Sequence, residues 1–246
     1  MTSECVPNLK EPGISLYLIP VPISSDTPPD RILPLASLEI VNHTDCFFVE
    51  NIRSARRFIK AVDKERNIDS IEFHVLNEHT TEVEADNLLK ILLTTKSAAV
   101  ISEAGCPSIA DPGAKIVERA RCHGVNIIPL VGPSSIILGL MASGFNGQNF
   151  AFNGYLPYDT SERKRAIKEY VRRIHNENQT QIFIETPYRN NKLINELAND
   201  LPAELKLCVA CDLTSQNETV IVKRMAEWRR AEYDFNKRPA IFLLAQ

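Results

Sequence analysis

No apolar run in these 246 residues approaches the roughly 20 residues that cross a bilayer as a helix. A helical membrane protein is therefore not expected. The opening Met1-Thr-Ser-Glu-Cys-Val-Pro7 has neither the basic residues nor the apolar core of a signal peptide, and a cytoplasmic location is expected. Strong charge is missing too. Against 28 Lys and Arg stand 31 Asp and Glu, a net charge of −3, which sets aside a protein coated in positive charge but leaves local patches open. Neither G-x-G-x-x-G nor G-x-x-x-x-G-K-[ST] occurs, which counts against the common dinucleotide and nucleotide-phosphate folds. There is no G-x-S-x-G elbow and no paired-histidine metal motif. The six cysteines, at 5, 46, 106, 122, 208 and 211, are scattered through a mid-sized chain and are expected as free thiols. Cys208-x-x-Cys211 is half a zinc motif, but it lies in a strand-like run where residues three apart point to opposite faces. No second pair accompanies it, so no metal is expected.

What is present is an alternation of strand-like and helical stretches organised around Val100-Ile-Ser-Glu-Ala-Gly-Cys-Pro-Ser-Ile-Ala-Asp-Pro-Gly113. Ala98 to Ile101 is an apolar run of strand length. Ser102 to Ala110 is a loop of small residues, longer than a βα connection needs. Asp111 is expected to cap a helix whose first position is Pro112. Such a loop sits where open α/β sheets bind ligands, and Gly105 lets backbone approach one closely.

Before it, Leu16–Ile19, Asp45–Val49 and Ser70–Leu76 read as strands, and Arg31–Val41, Ser54–Lys64 and Glu82–Thr94 as helices. Val125–Leu130 is a further strand. The pattern implies a mostly parallel sheet covered on both faces. Val131-Gly-Pro-Ser-Ser135 reads as a hinge between an N-terminal α/β domain, residues 1–130, and a C-terminal one, residues 131–246. In the second, several strands follow without a crossover helix, which implies a mixed sheet.

The order Pro20-Val-Pro-Ile23, Ser102-Glu-Ala-Gly-Cys-Pro-Ser-Ile-Ala-Asp-Pro-Gly113, Gly132-Pro-Ser-Ser135, Gly154-Tyr-Leu-Pro157 and Phe183-Ile-Glu-Thr-Pro-Tyr-Arg189 resembles the tetrapyrrole methylase superfamily. Within it the likeness is greatest to the branch that methylates a cytidine ribose 2′-hydroxyl in small-subunit ribosomal RNA. The resemblance implies an S-adenosylmethionine-dependent methyltransferase, two α/β domains with the cofactor in the cleft between them, and a homodimer. Carried over by position, cofactor contacts would come from Pro22 and Ile23, from Gly105, Cys106 and Ile109, from Ser134 and Ser135, and from Ala210, Pro239 and Ala240. The chain departs from the branch where Glu-Asp-Thr-Arg becomes Glu50-Asn-Ile-Arg53 and Arg-Glu-Leu-Thr-Lys becomes Cys211-Asp-Leu-Thr-Ser215. The cofactor side is the better kept.

Methyl transfer to a hydroxyl needs in-line alignment, removal of a proton and exclusion of water. Glu50 and Glu103 both fall just after strand ends, where a cleft is expected. Glu50 is the candidate base or substrate-orienting group, and Arg53 the candidate phosphate or carboxylate clamp. The alternative is a structural Glu–Arg pair at a helix start, and Glu185 with Arg189 poses the same choice. Cys106 as a nucleophile is disfavoured because no His lies within the motif. Arg53, Arg56, Arg57 and Lys60 follow helical spacing, and Arg163, Lys164, Arg165, Lys168, Arg172 and Arg173 crowd a second helix. Either stripe could track ribosomal RNA or be a solvated face. Tyr155 and Tyr158 are candidates for base stacking, with Phe150 and Phe152 expected in the core. Tetrapyrrole or other small-metabolite methylation, and a non-catalytic cofactor- or ribosome-binding role, are the rival readings.

Overall fold

In the computed structural model, which describes residues 13–246, the chain divides between Pro133 and Ser134 into two units. The first is built on strands β1 (Ser15–Ile19), β2 (Cys46–Val49), β3 (Glu72–Val75), β4 (Ser97–Ile101) and β5 (Asn126–Pro129). They pair in the order β3-β2-β4-β1-β5, every neighbour parallel. β2 is buried along its whole length and β4 along all but its first residue, as continuous apolar runs require when both faces are covered. β1 stops at Ile19 because Pro20 has no N–H for the ladder.

Helices α1 (Leu35–His43), α2 (Ile52–Val62), α3 (Glu82–Thr95) and α4 (Gly113–Cys122) provide the crossovers. Phe47, Val49, Ala99 and Ile101 pack with Ala55, Phe58 and Ile59 of α2 in one apolar cluster. Their strand neighbours Phe48, Ala98 and Val100 pack with Leu88, Leu92 and Ile116 in another. Successive strand residues feed opposite faces, so α1 and α2 cover one face and α3 and α4 the other. The chain leaves β2 toward β3 and leaves β4 toward β5, and β2 and β4 are neighbours. The two connections diverge from the sheet at this point, the place beyond the carboxyl ends of the strands where open α/β sheets bind ligands.

Three expected boundaries move. The helix expected over Arg31–Val41 is a short 3-10 turn, Pro29–Arg31, followed by α1. Pro34 disfavours helical backbone at the residue before it and sits extended ahead of Leu35. α2 begins at Ile52 rather than Ser54, because the Asn51 side chain accepts the N–H groups of Arg53 and Ser54. α4 begins at Gly113, one residue beyond the position expected for Pro112.

In the second unit, β6 (Phe150–Tyr155), β7 (Thr180–Ile184), β8 (Lys206–Cys211), β9 (Thr219–Arg224) and β10 (Ala240–Ala245) pair in the order β6-β7-β10-β8-β9. Only β6–β7 is parallel, so the sheet is mixed. Helices α5 (Ser135–Ser143), α6 (Thr160–Glu177), α7 (Asn190–Asp200) and α8 (Met225–Trp228) accompany it. Phe183 and Phe242 stack at 5.8 Å, and the buried Trp228 indole donates to the Leu207 carbonyl at 3.0 Å. Phe150, expected in the core, is partly exposed, because β6 is an edge strand.

Cys46, Cys106, Cys208 and Cys211 are free thiols. Cys122 departs from the expectation and is disulfide-bonded, and Cys5 lies outside the described residues. Cys208 and Cys211 are buried in β8, which pushes their thiols up to about 12 and about 11 respectively. Among the described residues, no helix is long and apolar enough to cross a membrane.

Candidate active site in the first unit

Glu50 follows β2 and Glu103 follows β4, and parallel pairing of these strands sets their carboxyl ends side by side. The Glu103 backbone N–H donates to Glu50 Oε1 at 3.1 Å. Ser54, in the first turn of α2, donates from its hydroxyl to Glu103 Oε1. The two carboxylates expected at the cleft thus meet at the divergence of the β2 and β4 connections. Burial raises the Glu50 pKa. The Glu103 N–H partly offsets this, while the negative charges of Asp111, Glu103 and Glu78 raise it further. A carboxylate so perturbed holds a proton more firmly than an ordinary one and is a better base when ionised.

Arg53 stands apart. It is exposed and makes no ion pair or side-chain hydrogen bond among the described residues. The structural Glu–Arg pair considered from the sequence does not form here. The equivalent pair in the second unit does form, with Arg189 3.4 Å from the buried Glu185. Glu185 also accepts the Thr186 N–H at 2.8 Å, and Arg189 lies over the Tyr158 ring at 5.1 Å.

The loop after β4 folds back on the end of β1. Val21 and Gly105 exchange backbone hydrogen bonds at 2.9 and 3.2 Å, which fixes Pro22 and Ile23 beside the loop, both half-buried. The half-buried Cys106 donates from Sγ to the Pro133 carbonyl at 3.3 Å, and burial raises its pKa. This leaves it a neutral thiol rather than a nucleophile. Gly105 sits at φ +71°, and Ser108 and Ala110 hold +67° and +56°, a left-handed conformation that costs a residue with a Cβ on the order of 1–3 kcal/mol. Asp111 holds them there. Its Oδ1 accepts the N–H groups of Ser108 at 2.6 Å and Gly113 at 2.7 Å. A Cβ at Gly113 would lie 2.8 Å from Asp111 Oδ1 and 2.9 Å from Ser108 Oγ, so only glycine fits. Ser108 Oγ is buried without a hydrogen-bond partner, and Ile109 projects half-exposed. A loop of small side chains with one orphaned hydroxyl suits a ligand held mainly by backbone groups.

The remaining sequence candidates belong to the second unit. Ser134 precedes α5 and Ser135 begins it, both half-buried. Ala210 is buried in β8 beneath α5, where a Cβ on Gly139 would lie 3.7 Å from its own. Only its backbone is left to meet a ligand. Pro239 is exposed and its carbonyl accepts the Asp212 N–H at 2.9 Å, while Ala240, half-buried, starts β10 opposite Cys211.

The two basic stripes differ. On α2, Arg53 and Arg57 are unpaired among the described residues, Arg56 pairs with Asp69 at 2.7 Å, and Lys60 donates to the Lys64 carbonyl at 2.7 Å. On α6 most charge is neutralised within the unit. Arg163 is buried and bound to Glu196 at 3.2 Å and to the Tyr158 carbonyl at 2.9 Å. Arg172 and Arg173 converge on Glu169, and their hydrogen bonds pull its pKa down to about 2. Arg163 is therefore a structural residue, a role that spacing alone did not disclose. Tyr155 and Tyr158 are exposed.

Sequence reasoning missed Ser54 and Asn51. Asn before an apolar-periodic run is a helix N-cap signal, and reading it so would have started the helix at Ile52, whereas no local signal links Ser54 to Glu103, 49 residues away.

A family model described as tetrapyrrole (corrin/porphyrin) methylases matches residues 16–228. The chain belongs to the tetrapyrrole methylase family. It is thus an enzyme of the methyltransferase class. Among relatives of this tetrapyrrole methylase, ribosomal RNA small subunit methyltransferase I of Vibrio cholerae is 32% identical over 93% of the chain and 76% of the relative. The protein of the same name from Bacillus subtilis is 27% identical over 86% and 68%. Among solved structures, the fold is similar to uroporphyrin III C-methyl transferase from Thermus thermophilus, with TM-score 0.58 and 16% identity over 94% of this chain and 97% of that one. It is also similar to the methyltransferase CobJ, with TM-score 0.64 and 12% identity over 94% of each.

Proposed function

We propose that this methyltransferase transfers the methyl group of S-adenosylmethionine to a ribose 2′-hydroxyl of small-subunit ribosomal RNA, in the cytoplasm and as a homodimer. The observation that carries the reading is Glu50, held by the Glu103 N–H at 3.1 Å with its pKa raised, while Arg53 in the next turn is exposed and unpaired among the described residues. The names of the relatives support RNA as substrate.

When bound, the donor supplies an electrophilic methyl on a positively charged sulfur. The loop from Ser102 to Asp111 fits its adenosine and methionine ends through backbone groups, with the buried Ser108 hydroxyl free to bond. Pro22, Ile23, Gly105, Cys106 and Ile109 are the proposed contacts in this unit. Ser134, Ser135, Ala210, Pro239 and Ala240 are proposed on the resemblance alone. Glu50 would take the proton of the ribose hydroxyl as the hydroxyl oxygen bonds to the methyl carbon and the sulfur–methyl bond breaks, the donor leaving as a neutral thioether. Glu103, oriented by Ser54, fixes Glu50 through its backbone N–H. Arg53 and Arg57 bind flanking phosphates.

The test is transfer of labelled methyl to small ribosomal subunits from cells lacking this protein, followed by nucleoside analysis. A 2′-O-methylated nucleoside is expected. Donor binding with no incorporation would rule the reading out.

A further inference from the structure

A second set of reactive side chains lies at the other end of the first sheet. Cys46 opens β2, Glu72 opens β3, and the two are paired in register; two residues on, Phe48 pairs with His74. Side chains two apart on a strand share a face, so Cys46, Glu72 and His74 emerge together on the face that α3 covers. One sulfur, one carboxylate oxygen and one imidazole nitrogen lie within 4.8 Å of one another. His74 Nε2 is 3.4 Å from Glu72 Oε2, and the Phe48 ring stands edge-on to the imidazole at 6.0 Å.

We propose that Cys46, Glu72 and His74 form a binding site for a zinc-class divalent cation. The donor set decides the ion. Calcium and magnesium take oxygen ligands, whereas sulfur, nitrogen and oxygen together suit zinc and its close analogues. Tetrahedral bonds of about 2.0–2.3 Å set ligand atoms roughly 3.3–3.8 Å apart, so small side-chain rotations close the triad on the ion. Three protein ligands leave the fourth position to water. Of the three, His74 also lines a groove between β3 and α3, together with Asn77, His79, Thr80 and Glu84. Binding replaces the thiol proton, which goes to solvent, with a sulfur–metal bond, and no electron is transferred. Cys46 is four residues from Glu50, roughly 13 Å along an extended strand. The ion would clamp the edge strand β3 to β2 and take no part in methyl transfer, so the site stands or falls independently of the proposed activity.

The experiment titrates the reduced, chelator-treated full chain with cobalt(II) and then zinc(II). One equivalent of cobalt with sulfur-to-cobalt charge-transfer absorption, displaced by zinc, is expected, and zinc should raise the melting temperature. Cys46→Ser should abolish the charge-transfer band, and His74→Ala should weaken cobalt binding by more than about tenfold. Cys208→Ala, in the second unit, should leave the band intact. Should Cys46→Ser fail to fold, Glu72→Gln on an exposed side chain serves instead and should weaken binding without altering the fold. Absence of the band, its survival in Cys46→Ser, or unchanged affinity in Glu72→Gln and His74→Ala would overturn the site.

Discussion

Glu50-Asn-Ile-Arg53 and Glu185-Thr-Pro-Tyr-Arg189 both follow a buried strand, β2 and β7, and both carry a carboxylate and a guanidinium within about one turn. In the second unit a 3-10 turn, Pro187–Arg189, brings Arg189 back over Glu185, and the pair closes at 3.4 Å. In the first, Asn51 caps α2 and sends Arg53 outward in the first helical turn, while Glu50 turns across the sheet to the Glu103 N–H. In the closed pair each charge faces its counter-ion, although Glu185 Oε2 is buried and accepts no hydrogen bond among the described residues. An open one leaves a perturbed acid and, three residues on, an exposed cation with no partner among the described residues. The same residue types thus hold a fold together in one place and stand ready for a substrate in the other.

The largest test of that contrast is a matched pair of substitutions. Glu50→Gln should cut turnover by about 10²- to 10⁴-fold with donor affinity little changed, in steady-state methyl transfer and donor-binding assays. Glu185→Gln should leave turnover near wild type and instead cost about 1–3 kcal/mol of stability in denaturant unfolding. Equal losses of turnover in both would erase the distinction.

Arg53→Ala comes next. It should weaken RNA binding uniformly across sequences and reduce the salt slope of affinity by about 1, whereas Arg189→Ala should lower the melting temperature and leave the slope alone. Filter binding over a range of salt reads both.

The pH dependence sharpens the contrast further. Glu50 acts ionised and its pKa is raised, so the acid limb of kcat/KM should fall above 4.5, the ordinary glutamate value. The stability linkage has the opposite sense. A carboxylate whose folded pKa is raised binds its proton more tightly in the native state, so its stabilising contribution is full below 4.5 and is lost as pH rises through the folded value. Relative to wild type, Glu50→Gln should therefore be more stable at neutral pH than in acid, in melts at several pH values.

The smallest effect is on α6. Glu169 is lowered to about 2 by Arg172 and Arg173, so its contribution is present above 4.5 and is lost as pH falls toward 2. Glu169→Gln should flatten that acid dependence slightly, because exposed pairs are screened by solvent.

Much of the fold was legible in local pattern. The apolar runs at β1, β2, β4 and β7 read as strands and the Glu82–Thr94 periodicity as a helix, and each element lies there. The boundaries that moved did so for reasons of single residues, Pro34 and Asn51. The site was legible in part. Glu50 and Glu103 could be flagged by their places after strands, but 53 residues separate them, and no spacing rule links positions so far apart. The burial of Arg163 was invisible because its counter-ion Glu196 comes from α7, far along the chain.

The sequence by itself determined the alternation of strands and helices, the small-residue loop from Ser102 to Ala110 and the family to which the chain belongs, because each is written in residues close together along the chain. Only the tertiary structure decided which charges pair and which stay open. The strand order that sets β2 beside β4 is fixed by burial over two faces of a sheet. That order brings the Glu103 N–H to Glu50 and leaves Arg53 without a partner.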